Sequence, residues 1–298
     1  MCGLSAALSL VLGNVPARAQ AVVTVATGFN QIQSLVFGAD NALYIADRGA
    51  GEVYRLPFEG VVAPFAALPG VTGLAFDPTG FPAGRLYAAA GSHLSTIDAA
   101  GTVTPLATTG AGLPVAGALA SDPAGNVYML GQNALAKITG TQAVTLVSGL
   151  SVALGVAADA NGSVYIGQAS IHRLDKVDAN TGAELPGFPI AAGTPDSVAV
   201  SPVDGRVYVI NRLTNHIDIY TPAGVSAGSF ASGLFNIPFG LAFDPRGNLY
   251  VGNFGNGSVV EILFNPPPPV PASTPWTLGA TALALAALGI RFARHREA

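Results

Sequence analysis

The segment LAFDPRGNLYVGN, residues 241–253, contains the pattern that decides the fold. Apolar residues lead into Asp-Pro-x-Gly, and a tyrosine follows in a second apolar run. A type I turn prefers Asp at its first corner, Pro with its fixed φ at the second and Gly at the last. The segment therefore predicts two antiparallel strands joined by a tight turn.

This pattern recurs along the chain at intervals of 37 to 43 residues, measured between equivalent tyrosines. The tyrosines are Tyr44, Tyr87, Tyr128, Tyr165, Tyr208 and Tyr250. A period near 40 with four short strands per unit is typical of propeller blades. Six units predict an all-β, six-bladed β-propeller over residues 20–265, in which each tyrosine packs between blades.

The last repeat is one strand short. Residues 240–264 supply three strands, and four prolines follow at 266–269. Near the other end of the chain, AVVTVATGFNQIQSL (residues 21–35) contains a fourth strand that leads directly into a first strand. We therefore predict that residues 22–26 complete the last blade, because pairing the two ends leaves no open sheet edge in the ring.

The first residues have the features of an export signal. An apolar run at 4–15 precedes Ala17, Arg18 and Ala19, which form the small-x-small pattern of a cleavage site, although no basic residue precedes the run. We predict a signal peptide over 1–19, removed by signal peptidase. The single cysteine, Cys2, lies in this segment, so the exported protein is expected to have no disulfide and no thiolate ligand.

The last residues have the features of a membrane segment. A Pro-rich linker at 266–275 precedes an apolar stretch at 276–290 and a basic tail at 291–298. Fifteen helical residues span only about 22 Å, against about 30 Å of hydrocarbon, so a single transmembrane helix here is short. Basic residues stay in the cytoplasm, which places the propeller on the exported side of the inner membrane.

The segment VPASTPWTLGATALALAALGIRFARHREA, residues 270–298, resembles the PEP-CTERM sorting signals of bacteria, and most of all their IPTL-CTERM variant. The resemblance rests on Val270, Pro271, Trp276, Arg291, Arg294 and Arg296. It departs from the pattern in having no Glu-Pro. It implies transient arrest in the inner membrane, cleavage by an exosortase-type membrane protease and release to the outer surface or the medium. The alternatives are a retained anchor and a C-terminal helix packed on the propeller.

The blades themselves resemble NHL-type repeats over most of residues 22–264. DPRGNLYVGN (244–253) and YIADRGAGEVYRL (44–56) carry the resemblance best. TPDSVAVSPVDGRVYVIN (194–211) is also similar to surface propellers related to the quinoprotein-like and lactonase superfamilies. These resemblances imply the fold, whereas activity depends on the loops.

One related class, the six-bladed gluconolactonases, implies an enzyme with a divalent metal on the propeller axis. Its ligands are a Glu and Asn residues at the starts of first strands, with an Asp three residues after the blade tyrosine. Here the first-strand starts are Gln33, Thr72, Ala116, Leu154, Asp196 and Phe239. The positions three after the tyrosines are Asp47, Ala90, Gly131, Gln168, Asn211 and Asn253.

The candidate metal ligands are therefore Asp47, Asp196, Asn211 and Asn253. Only two of these are carboxylates, which makes a poor cage for a hard cation, and the Glu is missing. We favour the interpretation that these residues cap the turns at strand ends, and we expect no metal and no cofactor.

Other catalytic patterns are missing from the sequence, including H-E-x-x-H and the P-loop. Residues 20–290 contain nine Lys and Arg against sixteen Asp and Glu, a net charge of −7 that disfavours nucleic acid. The sequence favours an exported binding or structural scaffold, whose loops contact an exopolysaccharide or a surface protein. The alternative is a metal-dependent lactonase or lyase.

Overall fold

The protein is a ring of six antiparallel β-sheets. The computed structural model describes residues 21–58, 60–79, 84–106, 109–110 and 117–264, all inside the range predicted for the propeller. A strand preceding the first blade is β1 (Ala21–Thr27). Blade 1 consists of β2 (Ile32–Phe37), β3 (Leu43–Asp47), β4 (Glu52–Leu56) and β5 (Ala63–Ala67). Blade 2 consists of β6 (Val71–Asp77), β7 (Arg85–Ala90), β8 (His93–Ile97) and β9 (Val103–Pro105).

The other four blades follow in chain order. Blade 3 consists of β10 (Thr109–Gly110), β11 (Ala118–Ser121), β12 (Val127–Leu130), β13 (Ala134–Thr139) and β14 (Gln142–Ser148). Blade 4 consists of β15 (Ala153–Ala158), β16 (Ser163–Gln168), β17 (Arg173–Asp178) and β18 (Ile190–Ala191). Blade 5 consists of β19 (Pro195–Val200), β20 (Val207–Asn211), β21 (His216–Tyr220) and β22 (Ser226–Ala231). Blade 6 contains β23 (Pro238–Phe243), β24 (Leu249–Asn253) and β25 (Ser258–Leu263). Each blade's first strand contacts those of both neighbours, and β23 contacts β2, which closes the ring.

The ring closes as the sequence predicts. Strand β1 pairs antiparallel with β25, with Val22 opposite Ile262 and Thr27 opposite Ser258. It therefore supplies the fourth strand of blade 6, and the predicted role of residues 22–26 is confirmed. Because β1 covers the outer edge of β25, the two ends of the described chain are held in one sheet.

The predicted turns and tyrosines are also present. The amide of Gly125 donates to the carbonyl of Asp122 at 3.0 Å, and Gly247 makes the same 3.0 Å bond to Asp244. All six repeated tyrosines are buried. Their rings pack in hydrophobic clusters, most of which join neighbouring blades, so their prediction as core residues is confirmed.

The connection from blade 2 to blade 3 forms a strand that the sequence does not predict. The sequence predicts the fourth strand of blade 2 over 102–108; within it β9 covers Val103–Pro105, and the amide of Leu106 also donates to the carbonyl of Leu94 at 2.8 Å. Residues 107–108 lie outside the described part of the chain. The short β10 then pairs in parallel with β14, so the connection between blades 2 and 3 adds a fifth strand to blade 3.

Glycines let the first strands of neighbouring blades approach closely around the axis. A Cβ on Gly155 would lie 2.9 Å from the Cα of Ser197 in the next blade. A Cβ on Gly73 would lie 2.5 Å from the carbonyl oxygen of Gly117. Any side chain at these positions would separate the blades and widen the axis.

The predicted signal peptide, linker, transmembrane segment and sorting motif lie at 1–19 and 266–298, outside the described residues. In the described part of the chain the only helix is a 3-10 turn at Ala169–Ile171. No helix found there has the length and apolar character required to cross a membrane.

Candidate functional site

A β-bulge at the start of the first strand recurs in five of the six blades. The register shifts by one residue there, in the pairings of β2 with β3, β6 with β7, β15 with β16, β19 with β20, and β23 with β24. The residues skipped by the ladders are Gln33, Thr72, Leu154, Asp196 and Phe239. A bulge leaves one residue unpaired and redirects its side chain.

These five residues line one cavity of 240 Å³ among the first strands, on the propeller axis. The structure thus brings together the first-strand positions singled out in the sequence. Ala116, the equivalent position in blade 3, lies outside the described residues, and its neighbour Gly117 lines the cavity.

Asp196 is the acidic residue on the wall of this axial cavity. Its side chain is 0% exposed, and its Oδ2 accepts a 3.1 Å hydrogen bond from Nε of Arg212. Its Oδ1 has no hydrogen-bond partner. Burial raises the pKa of Asp196, although the charge and hydrogen bonds of Arg212 oppose the rise. A buried carboxyl with a raised pKa and a free oxygen is suited to acid–base chemistry.

Aromatic rings hold Arg212 in place beside this carboxylate. Its guanidinium carbon lies 5.7 Å from the ring centroid of Phe239, which also lines the axial cavity. The Phe239 ring contacts the ring of Phe254 at 6.4 Å between centroids. Stacking of this kind orients a guanidinium, so the Arg212–Asp196 pair has a defined geometry.

The positions three residues after the tyrosines have a different role. Asp47 accepts hydrogen bonds from the amides of Asn30 at 2.7 Å and Gln31 at 2.8 Å. It also accepts from Gly49 and Ala50, both at 3.1 Å. Its two oxygens therefore fasten the loop entering blade 1 to the end of β3.

Asn253 and Gln168 make the same contact in other blades. The Oδ1 of Asn253 accepts from the amide 17 residues earlier, at Asn236, at 2.9 Å. The Oε1 of Gln168 accepts from the amide of Ser151, again 17 residues earlier, at 2.7 Å. The Nδ2 of Asn253 also donates to the carbonyl of Leu234 at 2.9 Å. These side chains hold loops and have no free oxygen for a metal.

Asn211 departs from this arrangement in blade 5. It donates a hydrogen bond to Asp218. Burial raises the pKa of Asp218, and His216 and the bond from Asn211 oppose only part of this rise. The Oδ1 of Asn211 is buried without a partner. Blade 5 thus contains unpartnered oxygens at both predicted positions, on Asp196 and Asn211.

The divalent metal implied by the gluconolactonase resemblance does not fit the residues at the axis. Asp47, Asn211 and Asn253 do not line the axial cavity, and the carboxylate of Asp196 already binds Arg212. Arg48 also lines the cavity and would repel a cation. Among the described residues, no cluster of three or more His, Cys, Asp or Glu is placed to hold a metal ion.

The residues that sequence analysis missed lie one position further, four residues after each tyrosine. They are Arg48, Gly91, Gln132, Ala169, Arg212 and Phe254. Arg48 and Gln132 line the axial cavity, and Arg212 reaches its wall through Asp196. The repeat alignment contains this signal, because the long polar side chains recur at blades 1, 3 and 5.

A second cavity, of 540 Å³, lies at the opposite end of the first strands. Its lining includes Asp122 and Asp159 from the hairpin turns. Asp122 accepts from the amides of Ala124 at 3.0 Å and Asn126 at 2.9 Å, and from the hydroxyl of Tyr128 at 2.9 Å. Because the carboxylate of Asp122 already accepts these bonds from its own hairpin, the second cavity is a weaker candidate site than the axial cavity.

Solved structures with this fold include several enzymes. A gluconolactonase of Xanthomonas campestris has a TM-score of 0.69 at 15% identity, covering 83% of this chain and 91% of that chain. A calcium-binding regucalcin of Agrobacterium tumefaciens has a TM-score of 0.65 at 17% identity, covering 79% and 90%. A streptogramin B lyase has a TM-score of 0.62 at 10% identity, covering 83% and 98%.

No family model matches the chain, and no curated protein matches it. At these identities the likeness shows the fold alone. The protein is therefore a six-bladed propeller of the shape that gluconolactonases have.

Proposed function

We propose that the protein is an enzyme that opens a small lactone by hydrolysis at the axial cavity, with Asp196 as the acid–base residue. The observation that carries this proposal is the buried Asp196 carboxyl, whose Oδ1 has no partner while Arg212 holds Oδ2. The solved structures with this fold, which include a gluconolactonase, support the enzymatic alternative better than the scaffold role.

The proposed reaction uses residues of this chain. In this reaction a water molecule reaches the buried Oδ1 of Asp196, the carboxylate takes a proton from it, and the water oxygen adds to the lactone carbonyl carbon. The ring C–O bond then breaks, and the proton passes from Asp196 to the departing alkoxide oxygen. One water is consumed and one hydroxy acid is formed. Arg212 keeps the carboxylate oriented through its 3.1 Å bond to Oδ2.

The raised pKa suits this role. A carboxylate with a higher pKa is a stronger base, provided that it is still ionised at the working pH. Turnover should therefore increase with pH through the pKa of Asp196, which lies above the ordinary value of 3.8. No metal ion takes part in any step.

The test is a hydrolysis screen in which purified residues 20–265 are mixed with lactones of four to eight carbons. The rate of hydrolysis is measured as the amount of base needed to keep the pH constant while the hydroxy acid forms. We expect turnover that persists in excess chelator and that falls at least a hundredfold in Asp196→Asn. Failure to open any lactone would refute the proposal. Turnover that requires added calcium, magnesium or zinc would instead support the metal-dependent alternative.

We also propose that the chain is exported and sorted, on the strength of the motif from Val270 to Trp276 and the basic tail. In a host with an exosortase-type protease, intact-mass analysis should show the surface-released form without Arg291, Arg294 and Arg296. Recovery of that form with Arg296 attached would indicate an ordinary anchor.

A further inference from the structure

Two arginines extend the axial site beyond Asp196. Arg48 and Arg212 occupy the same repeat position in blades 1 and 5, four residues after the blade tyrosine. Arg212 is paired with Asp196. In the part of the chain that the structure describes, the Arg48 side chain has no ion pair and no hydrogen bond, and it lines the cavity.

The charge at this cavity is opposite in sign to that of the whole protein. The chain has a formal net charge of −4, whereas Arg48 on the cavity lining is unpaired and the one carboxylate on the lining, Asp196, is already paired with Arg212, which lies outside the lining. A cleft lined by charge of one sign concentrates ligands whose charge has the opposite sign. The axial cavity therefore favours a ligand with at least one negative charge.

The unpaired guanidinium of Arg48 indicates which anion this is. Arginine binds carboxylate and phosphate groups through two parallel hydrogen bonds. Asp196 stands in the same cavity and would repel a doubly charged phosphate more than a singly charged carboxylate. At 240 Å³ the cavity is also smaller than the roughly 300–1,000 Å³ that drug-sized ligands need.

The other walls of the cavity suit the remainder of such a ligand. Leu154 and Phe239 offer apolar surface, and the amides of Gln33 and Gln132 offer donors and acceptors. A compact ring that is apolar on one side and oxygen-bearing on the other would match these walls.

From these observations we infer that the substrate is a small lactone that also bears a free carboxylate, and that Arg48 binds this carboxylate. The inference rests on the proposed lactone hydrolysis for the identity of the reaction, but not for the binding of the anion. Arg48 is then the residue that determines substrate specificity, and Asp196 faces the ester bond.

The binding test needs no turnover. Thermal unfolding of residues 20–265 is measured with threonate, which has one carboxylate, and with threitol, which has the same carbon skeleton without a carboxylate, at constant ionic strength. We expect threonate to raise the melting temperature and threitol to leave it unchanged, because only the ligand that binds the native state stabilises it. Arg48→Gln should abolish the threonate shift.

A matched control removes the same charge at the other end of the axis. Arg246 lies in the hairpin turn of blade 6, with its guanidinium carbon 4.2 Å from the ring centroid of Phe58. Arg246→Gln should keep the threonate shift. Loss of the shift in both variants would indicate a general charge effect and overturn the inference, as would a larger shift with inorganic phosphate than with threonate.

The kinetic test compares γ-butyrolactone-3-carboxylate with its carboxamide. We expect the wild type to prefer the carboxylate at least tenfold in kcat/KM, mainly through KM, and Arg48→Gln to remove this preference. Equal turnover of both compounds by the wild type would overturn the inference and leave the proposed hydrolysis intact. Threonate binding that depends on Arg48, without turnover of any lactone, would sustain the inference and refute the hydrolysis.

Discussion

Asp47 in blade 1 and Asp196 in blade 5 are both buried carboxylates near the start of a blade, and their surroundings are opposite. Asp47 accepts four backbone amides at 2.7 to 3.1 Å. Asp196 binds one guanidinium and leaves one oxygen without a partner. The first arrangement fastens a loop, whereas the second holds a carboxyl in a state suited to reaction. Burial alone therefore does not distinguish a structural acid from a functional one.

The largest effect on stability is expected at Asp47. In Asp47→Ala four amides lose a charged acceptor; because the four donor residues are exposed, water replaces part of what is lost, and we expect a loss of about 3 kcal/mol in the free energy of unfolding. Urea denaturation of residues 20–265 measures this loss. Asp47→Asn, which keeps one acceptor oxygen, should lie between the wild type and the alanine variant.

A smaller loss is expected at Asn253, the same repeat position in blade 6. Asn253→Ala removes the bonds to Asn236, Leu234 and Ser258, each 2.9 Å long. We expect about 2 kcal/mol, because these are neutral hydrogen bonds and not bonds to a charge. The same urea titration serves, and a loss larger than that of Asp47→Ala would contradict the ranking.

The smallest loss among these positions is expected at Asn211. Its Oδ1 has no partner, and its amide supports only Asp218. Asn211→Ala should therefore change the free energy of unfolding by less than about 1 kcal/mol. A loss equal to that of Asn253→Ala would mean that Asn211 also fastens its loop.

The pH dependence of stability separates Asp196 from the loop-holding residues. A carboxyl whose pKa is raised in the folded state binds its proton more tightly there than in the unfolded chain. Its contribution to stability is therefore full below about pH 4 and is lost as the pH rises through the raised pKa. The wild type should lose stability relative to Asp196→Asn over that interval, and a constant difference would contradict the raised pKa.

Much of the fold follows from the repeat. The tyrosine spacing gives six blades, the Asp-Pro-x-Gly turns place the hairpins, and the missing strand of blade 6 predicts its pairing with β1. These features are local or periodic, so the sequence contains them directly. The fifth strand of blade 3 was not predicted, because β10 pairs in parallel with β14, from which β11, β12 and β13 separate it along the chain.

The site was predicted only in part. The first-strand positions that line the axis were identified, including Asp196. The polar positions after the blade tyrosines were missed by one residue, since Arg48 and Arg212 directly follow Asp47 and Asn211. Neighbouring residues at a strand end point in different directions. Which of them faces the axis depends on the bulges and loops of other blades, and the repeat alone does not specify it.

The central claim is that Asp196 serves the reaction and not the fold, and Asp196→Asn tests it most directly when unfolding and lactone turnover are measured on the same preparation. The amide keeps the shape of the side chain and removes the buried charge. We predict a free energy of unfolding at pH 7 equal to or above that of the wild type, with turnover reduced at least a hundredfold. A loss of stability comparable to that of Asp47→Ala, with turnover unchanged, would contradict the claim.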